Sequence, residues 1–499
     1  MYTLVQWAVV VPGTGLGWDE TVYVSQVSPH APAAFFSAPR ARGITYLVAP
    51  AVLVSSDPAV LRGYLAVLSG AALFLSLAVW RPLLPARVLT VAGALFAGLW
   101  VTVLYGPQAM PNLWVAYGAL IAVGCFLRAA ATGSRGALAG LAAAVCGVAL
   151  MRPPDALWLV LALAGSALVV RRWRRPALLV ALAAGALLGA AEWLVEAQLR
   201  YGGVVPRLRR ASEIQGHLGW HPAALLDQLH ALDGRTLCRP CGPEWRWPAT
   251  GFWWFLVPVA VAAGLVVAVR RAAPAGREAL LLAAVSGGVL AVPYLVLIGY
   301  AAPRFLLPAY VLLALPAAAG VTALAARGPV PLAAVACVAL GHLAVQYSVL
   351  DAAVARSRAN GVAFTRVAEQ LRAQGVRPPC VISGHEAIRV AYRLGCSSRQ
   401  VGGHDHSLTG RGLRAAARQW PVAVLVAEGR PVPAYARDWR RVPLFPLPGL
   451  TAYRAHLAPF PGVERGGDRS SESPAEPAVS STVRQHGIRK TASNHPSTG

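Results

Sequence analysis

The chain has 499 residues, 56% of them hydrophobic and only 13% charged, with a mean hydropathy of +0.52. A soluble chain of this length carries charge on roughly a quarter of its positions, so a surface wetted throughout is excluded and lipid must replace water around most of it. The formal net charge of +24 does not indicate nucleic acid, because the arginines punctuate apolar runs, as at Arg171-Arg172-Trp173-Arg174-Arg175 and Arg270-Arg271, and are not massed on one amphipathic element.

The chain opens on an apolar stretch, Met1 to Val11, that is short for a span, lacks a basic leading region and has no small-residue cleavage pattern. It reads as the end of a first span whose start lies upstream of Met1, an expectation that N-terminal sequencing of the native protein tests. The segment 43–56 (GITYLVAPAVLVSS) is short and interrupted by proline, and is expected to lie against the membrane surface, with a span as the alternative. Runs long enough to cross a bilayer follow near 62–80, 88–105, 109–128, 135–151, 153–170, 176–196, 252–269, 278–300, 303–326 and 329–350. With the N-terminal run this predicts an α-helical polytopic membrane bundle of about eleven spans.

The loops set the orientation. One alternating set holds Arg81, Arg87, Arg128, Arg135, Arg171, Arg172, Arg174, Arg175, Arg270, Arg271, Arg277 and Arg327, whereas the opposite short loops hold Gly106–Met110, Arg152 and Arg304. Basic residues concentrate on the cytoplasmic side, so segments 12–61, 197–251 and everything after about 351 are expected outside. A membrane domain over 1–350 is then followed by a small extracytoplasmic α/β domain over 351–461 and a polar, Pro/Ser-rich tail over 462–499 expected to be disordered. Within the α/β domain the pattern predicts helices over 361–375, near 385–394 and near 408–419. Strands are expected within Pro379–Gly384 and over Val422–Val426.

Three outer segments carry residues suited to chemistry. Asp19 and Glu20 lie in WDETVY at 18–23, directly beyond the first apolar run. Carboxylates there can take a proton from an attacking hydroxyl or hold a divalent cation, although a solvated helix cap also accounts for the pair. Arg152 lies in MRPPD at 151–155 and Arg304 in APRFLLPAY at 302–310, both on the predicted outer face. A guanidinium fork binds phosphate, and interfacial snorkelling is the plainer alternative for either arginine alone.

With these three motifs the chain resembles the polytopic C-type-fold glycosyltransferases that use polyprenyl-phosphate-linked sugars, the superfamily of protein O-mannosyltransferases and lipid A aminoarabinose transferases. The resemblance covers roughly residues 1–460. It implies a membrane glycosyltransferase that moves a sugar from a polyprenyl-phosphate donor to an outer acceptor hydroxyl on a glycan, glycolipid or protein. It assigns the essential acid to Asp19 with Glu20 beside it, donor phosphate binding to Arg152 and Arg304, and a substrate contact to Tyr23. Asp19 and Glu20 are also the candidates for a divalent cation.

Other clusters are weaker. His217, His221 and His230 share the 197–251 loop with Cys238 and Cys241, in spacing poor for a closed zinc site and better suited to a Cys238–Cys241 disulfide. Trp245, Trp247, Trp253 and Trp254 most simply mark the membrane interface. Cys380 and Cys396 flank a predicted helix and are candidates for a disulfide, while Gly403-His404-Asp405-His406 reads mainly as loop polarity. High Ala, Gly, Pro and Arg usage suits a GC-rich bacterial genome, hence a bacterial cell membrane. A transporter explains the spans but neither the outer α/β domain nor the acid pair, and a noncatalytic envelope-assembly component needs neither Asp19 nor Arg304.

Overall fold

A computed structural model describes residues 1–239, 242, 248–447 and 452–459. About 68% of the chain is helical, and seven described helices are long and apolar enough to cross a membrane: Pro58–Ala78, Pro111–Thr132, Pro176–Tyr201, Pro248–Arg271, Pro274–Leu297, Pro303–Ala325 and Pro329–Ala373. Four shorter apolar helices, Gly43–Val54, Ala86–Ala97, Arg135–Met151 and Pro153–Val169, lie among them. The protein is a multi-pass membrane protein. All seven long segments begin at proline, whose missing N–H and fixed φ suit the first helical turn.

The ten long runs read from the sequence all fall on helices, with one interruption. The run at 88–105 breaks into Ala86–Ala97 and Trp100–Tyr105. There the backbone N–H of Trp100 is taken by the Gln346 side chain at 2.9 Å. Small residues let the helices approach closely, as expected where lipid supplies no hydrophobic drive between them. A Cβ on Gly189 would lie 2.2 Å from the Cys146 carbonyl oxygen, and one on Gly264 would lie 1.7 Å from that of Pro316.

The arginine-rich loops meet at one end of the bundle. Arg172 pairs with Glu278, Arg175 reaches the Ala129 carbonyl at 3.4 Å, and Gly276 lies against the backbone at Leu83. The acidic and proline-flanked arginine motifs gather elsewhere, around Asp19 and the Phe305 ring.

The last long helix, Pro329–Ala373, runs 45 residues without a break. It therefore passes through the boundary expected at 350/351 and absorbs the separate helix expected over 361–375. Between the two parts the sequence turns polar, but it contains helix formers and no proline, so only the environment changes.

The α/β region holds a five-stranded sheet of β1 (Val381–Gly384), β2 (Ser397–Ser398), β3 (Val422–Ala427), β4 (Arg440–Pro443) and β5 (Tyr453–Leu457). The strand order is β2-β1-β3-β5-β4, with β2, β1 and β3 parallel and β5 antiparallel to both neighbours. Val381 pairs with Ser397, so the residues just before them lie side by side, and Cys380 and Cys396 form a disulfide with Cα atoms 4.8 Å apart. Between β1 and β2 the helix Ala387–Leu394 has two apolar faces. Val390, Ala391 and Leu394 pack into the sheet core, whereas Ile388 and Tyr392 join the core of the membrane bundle. This helix packs on Trp18–Ser25, the helix that carries Asp19. The tail over 462–499 and the Cys238–Cys241 pairing fall outside the described residues, the latter at Cys241, as do Trp245 and Trp247.

Candidate functional site

The helix Trp18–Ser25 starts after Gly17 in extended conformation and has both acids in its first turn, where the helix dipole favours negative charge. The two carboxylates then part company. Glu20 is buried: its Oε2 accepts the Gly17 N–H at 2.9 Å, as in half of a capping box, and Arg62 Nη2 at 2.7 Å. Its Oε1 accepts Arg62 Nη1 at 2.5 Å and the Ala109 N–H at 2.7 Å. Arg62 in turn donates to the carbonyls of Pro107 and Gly15, each at 2.8 Å. The pair thus ties the loop before Trp18 to the loop after Trp100–Tyr105.

Asp19 faces the other way and keeps 32% of its side chain exposed. Arg40 Nη2 donates to its Oδ1 at 2.5 Å, and Arg304 Nη2 to its Oδ2 at 3.1 Å. Burial alone would push the Asp19 carboxyl up, but the guanidiniums of Arg40, Arg304 and, farther off, Arg152 outweigh it and hold the group below its ordinary value. Asp19 is therefore a carboxylate throughout the neutral range.

Local structure explains how the arginines arrive. Arg152 is the extended break between Arg135–Met151 and Pro153–Val169, with φ −155° and ψ 94°, because a residue before proline is driven out of the helical region. It donates to Asp155 Oδ2 at 2.5 Å and to the Tyr294 hydroxyl at 2.9 Å, and Tyr294 donates to Asp155 Oδ1. Arg304, in the turn Pro303–Leu306, donates to the Thr236 carbonyl at 2.8 Å and to the Tyr105 hydroxyl at 3.3 Å. Its Nε has no hydrogen-bond partner among the described residues. The Phe305 ring joins the two: its centroid is 5.5 Å from the Arg152 guanidinium and 5.2 Å from that of Arg304. Nearby, Arg239 lies 5.1 Å from the Tyr300 ring, which meets Phe305 edge-on at 5.5 Å.

The structure thus brings Asp19, Arg152, Arg304 and Tyr23 together and sets Glu20 apart. Tyr23 is buried with its ring 4.9 Å beneath Arg40. A divalent cation shared by Asp19 and Glu20 does not fit, since each Glu20 oxygen already accepts two N–H groups. Among the described residues no three His, Cys, Asp or Glu side chains converge as metal ligands, in the 197–251 loop or elsewhere.

Arg40, Tyr105, Tyr294 and Phe305 were not legible as site residues. Arg40 left one sequence signal: Ala-Pro-Arg occurs at 38–40 and again at 302–304, and both arginines bind Asp19. Overall, the guanidiniums of Arg40, Arg152 and Arg304 face the carboxylates of Asp19 and Asp155, leaving an excess of positive charge suited to an anion.

The fold is that of ArnT from Cupriavidus metallidurans. The chain superposes on ArnT bound to undecaprenyl phosphate with a TM-score of 0.67, at 12% identity, over 91% of this chain and 96% of that one. The apo state of the same protein gives 0.64 at 13% identity, with the same coverage. An oligosaccharyltransferase from Archaeoglobus fulgidus, in complex with Zn and sulfate, superposes at 0.47 and 13% identity over 85% of this chain and 67% of that one. No family model matches the sequence, and no curated protein matches it by sequence. The many-helix membrane fold with a small sheet domain, expected from the three motifs and the layout, is the fold that this chain shares with ArnT.

Proposed function

We propose that this protein transfers a sugar from a polyprenyl-phosphate-linked donor to an extracytoplasmic acceptor hydroxyl, with inversion at the anomeric carbon. The observation that carries the reading is Asp19, part-exposed and held between the guanidiniums of Arg40 and Arg304. The fold shared with a protein that binds undecaprenyl phosphate supports a lipid-phosphate donor.

In this mechanism the donor phosphate takes up the guanidiniums of Arg304 and Arg152 across the Phe305 ring, and Arg40 turns from Asp19 towards it. Asp19 loses its counter-charges and gains an anionic neighbour, both of which raise its proton affinity. Its carboxylate then accepts the acceptor hydroxyl proton as that oxygen bonds to the anomeric carbon. The bond from that carbon to the phosphate oxygen breaks on the opposite face, and polyprenyl phosphate leaves with the electron pair. Arginines already aimed at the leaving oxygen offset its growing charge without reorganisation. Glu20 acts indirectly, by fixing the loop that presents Asp19, and the acceptor is a glycan, a glycolipid or a protein.

Replacing Arg304 by Ala tests the donor assignment. Hydrogen bonds to charged groups contribute roughly 1.5–3 kcal/mol, so affinity for undecaprenyl phosphate should fall about 10- to 100-fold in purified protein. Unchanged affinity would remove Arg304 from the donor site.

The reading also sets the compartment: a bacterial cell membrane, with the sheet domain outside, where disulfides such as Cys380–Cys396 persist. Cysteines introduced near 215 and 430 should react with an impermeant reagent added outside, and one near 173 should be spared. The reverse labelling pattern would invert this topology.

A further inference from the structure

We infer that Arg207 is a positioning residue for the reaction, acting through the backbone of the segment that carries Arg40. This rests on the function proposed above. Arg207 lies on the helix Val204–Ile214, which follows the long helix Pro176–Tyr201 after a turn at Gly202 and Gly203. Both glycines have positive φ, 73° and 133°, so the chain reverses within two residues. The rest of the short helix shows Val205 and Leu208 to its surroundings, yet Arg207 is fully buried.

The contacts of that guanidinium explain why a charge is kept there. Its Nε donates to the Ala38 carbonyl at 3.1 Å and its Nη2 to the Arg40 carbonyl at 3.1 Å. Its Nη1 donates to the Trp193 carbonyl at 2.6 Å, and Nη2 also reaches Glu196 at 2.8 Å. The ring of Trp193 stacks 4.3 Å from the guanidinium and that of Tyr201 5.0 Å. One planar fork therefore bridges the carbonyls on either side of Pro39 and ties them to the end of a long helix. Arg42 fastens the same segment to Glu196 at 2.9 Å and to Glu192 at 3.0 Å.

Apart from these anchors, the Arg40 backbone N–H donates to the Ser37 carbonyl at 3.0 Å, and the Arg40 side chain is spent on Asp19 and Ser37. Arg207 is bonded to neither Asp19, Arg152 nor Arg304, and it meets Arg40 at the backbone carbonyl. Its influence must pass through where Arg40 stands.

The test uses Arg207→Lys in the full-length protein in detergent. Lysine keeps a cation opposite Glu196 and the buried volume, but cannot span two carbonyls as the planar fork does. A misplacement of about 1 Å at a catalytic group costs on the order of 100-fold, so kcat for sugar transfer should fall roughly 10- to 100-fold, and donor KM should rise with it. Amide exchange over 38–42 should quicken with no loss of thermal stability in the bundle. In an Arg40→Ala background the Arg207→Lys change should have no further effect on kcat, because residues acting through one another are not additive. Additive losses in the double variant, or wild-type kcat and exchange in Arg207→Lys, would overturn the inference. If the wild-type protein transfers no sugar, the functional reading fails, and the exchange at 38–42 still decides whether Arg207 holds this segment.

Discussion

Replacing Asp19 by Asn should abolish most sugar transfer, by on the order of 10²–10⁴-fold, the usual contribution of a positioned general base. Asparagine preserves size and can accept from one of the two guanidiniums, but it cannot accept the acceptor proton. The fold should survive the change. Asp19 is part-exposed, and Arg304 retains the Thr236 carbonyl and the Tyr105 hydroxyl when the carboxylate is neutralised. The check is turnover of a prenyl-phosphate sugar by purified variant protein whose thermal midpoint matches wild type. Near-normal turnover by a folded Asp19→Asn protein would remove the residue from the mechanism.

The second large effect concerns stability. Arg62→Met should destabilise the protein by about 3–5 kcal/mol, the usual cost of leaving one member of a buried ion pair without its partner. Arg62 and Glu20 are both buried, and together they join Gly15, Gly17, Pro107 and Ala109. Methionine fills the space but leaves the Glu20 carboxylate with two backbone N–H donors and no counter-charge. Glu20→Gln should also lower stability, because its NH₂ group must face a backbone N–H that donated to the carboxylate. Its defect should show in yield and thermal midpoint before it shows in chemistry. A wild-type thermal midpoint for Arg62→Met would mean that the pair does not brace the loop.

Asp19 and Glu20 are adjacent in sequence but have opposite environments. WDE marks an acidic pair just beyond an apolar run, but adjacent residues on a helix point about 100° apart, so one spacing sends Asp19 towards the arginines and Glu20 into the protein. Only the fold supplies Arg62, which the sequence presents as an ordinary basic residue at the head of an apolar run. The long apolar segments were legible because bilayer crossing demands about 20 apolar residues, and the proline-flanked arginines because proline breaks such segments visibly. Arg40 hid in a loop with no periodic pattern, although its Ala-Pro-Arg tripeptide repeats that of Arg304. Tyr294 and Phe305 looked like ordinary apolar-segment aromatics until tertiary contact set them against Arg152.

In the sheet domain, β1 and β3 announced themselves as apolar runs, whereas β4 is an arginine- and proline-bearing edge strand and β2 only two residues long. β5 did carry a signal, since Tyr453, Ala455 and Leu457 alternate inward. Its short length beside polar chain masked it.

If the arginines now bound to Asp19 serve a lipid phosphate when the donor arrives, a structure of the protein with undecaprenyl phosphate should show it. The phosphate oxygens should lie on the guanidiniums of Arg304 and Arg152 beside Phe305, with Arg40 drawn off Asp19 and the carboxylate left facing open space. A phosphate bound elsewhere, with Asp19 still paired to both Arg40 and Arg304, would contradict it.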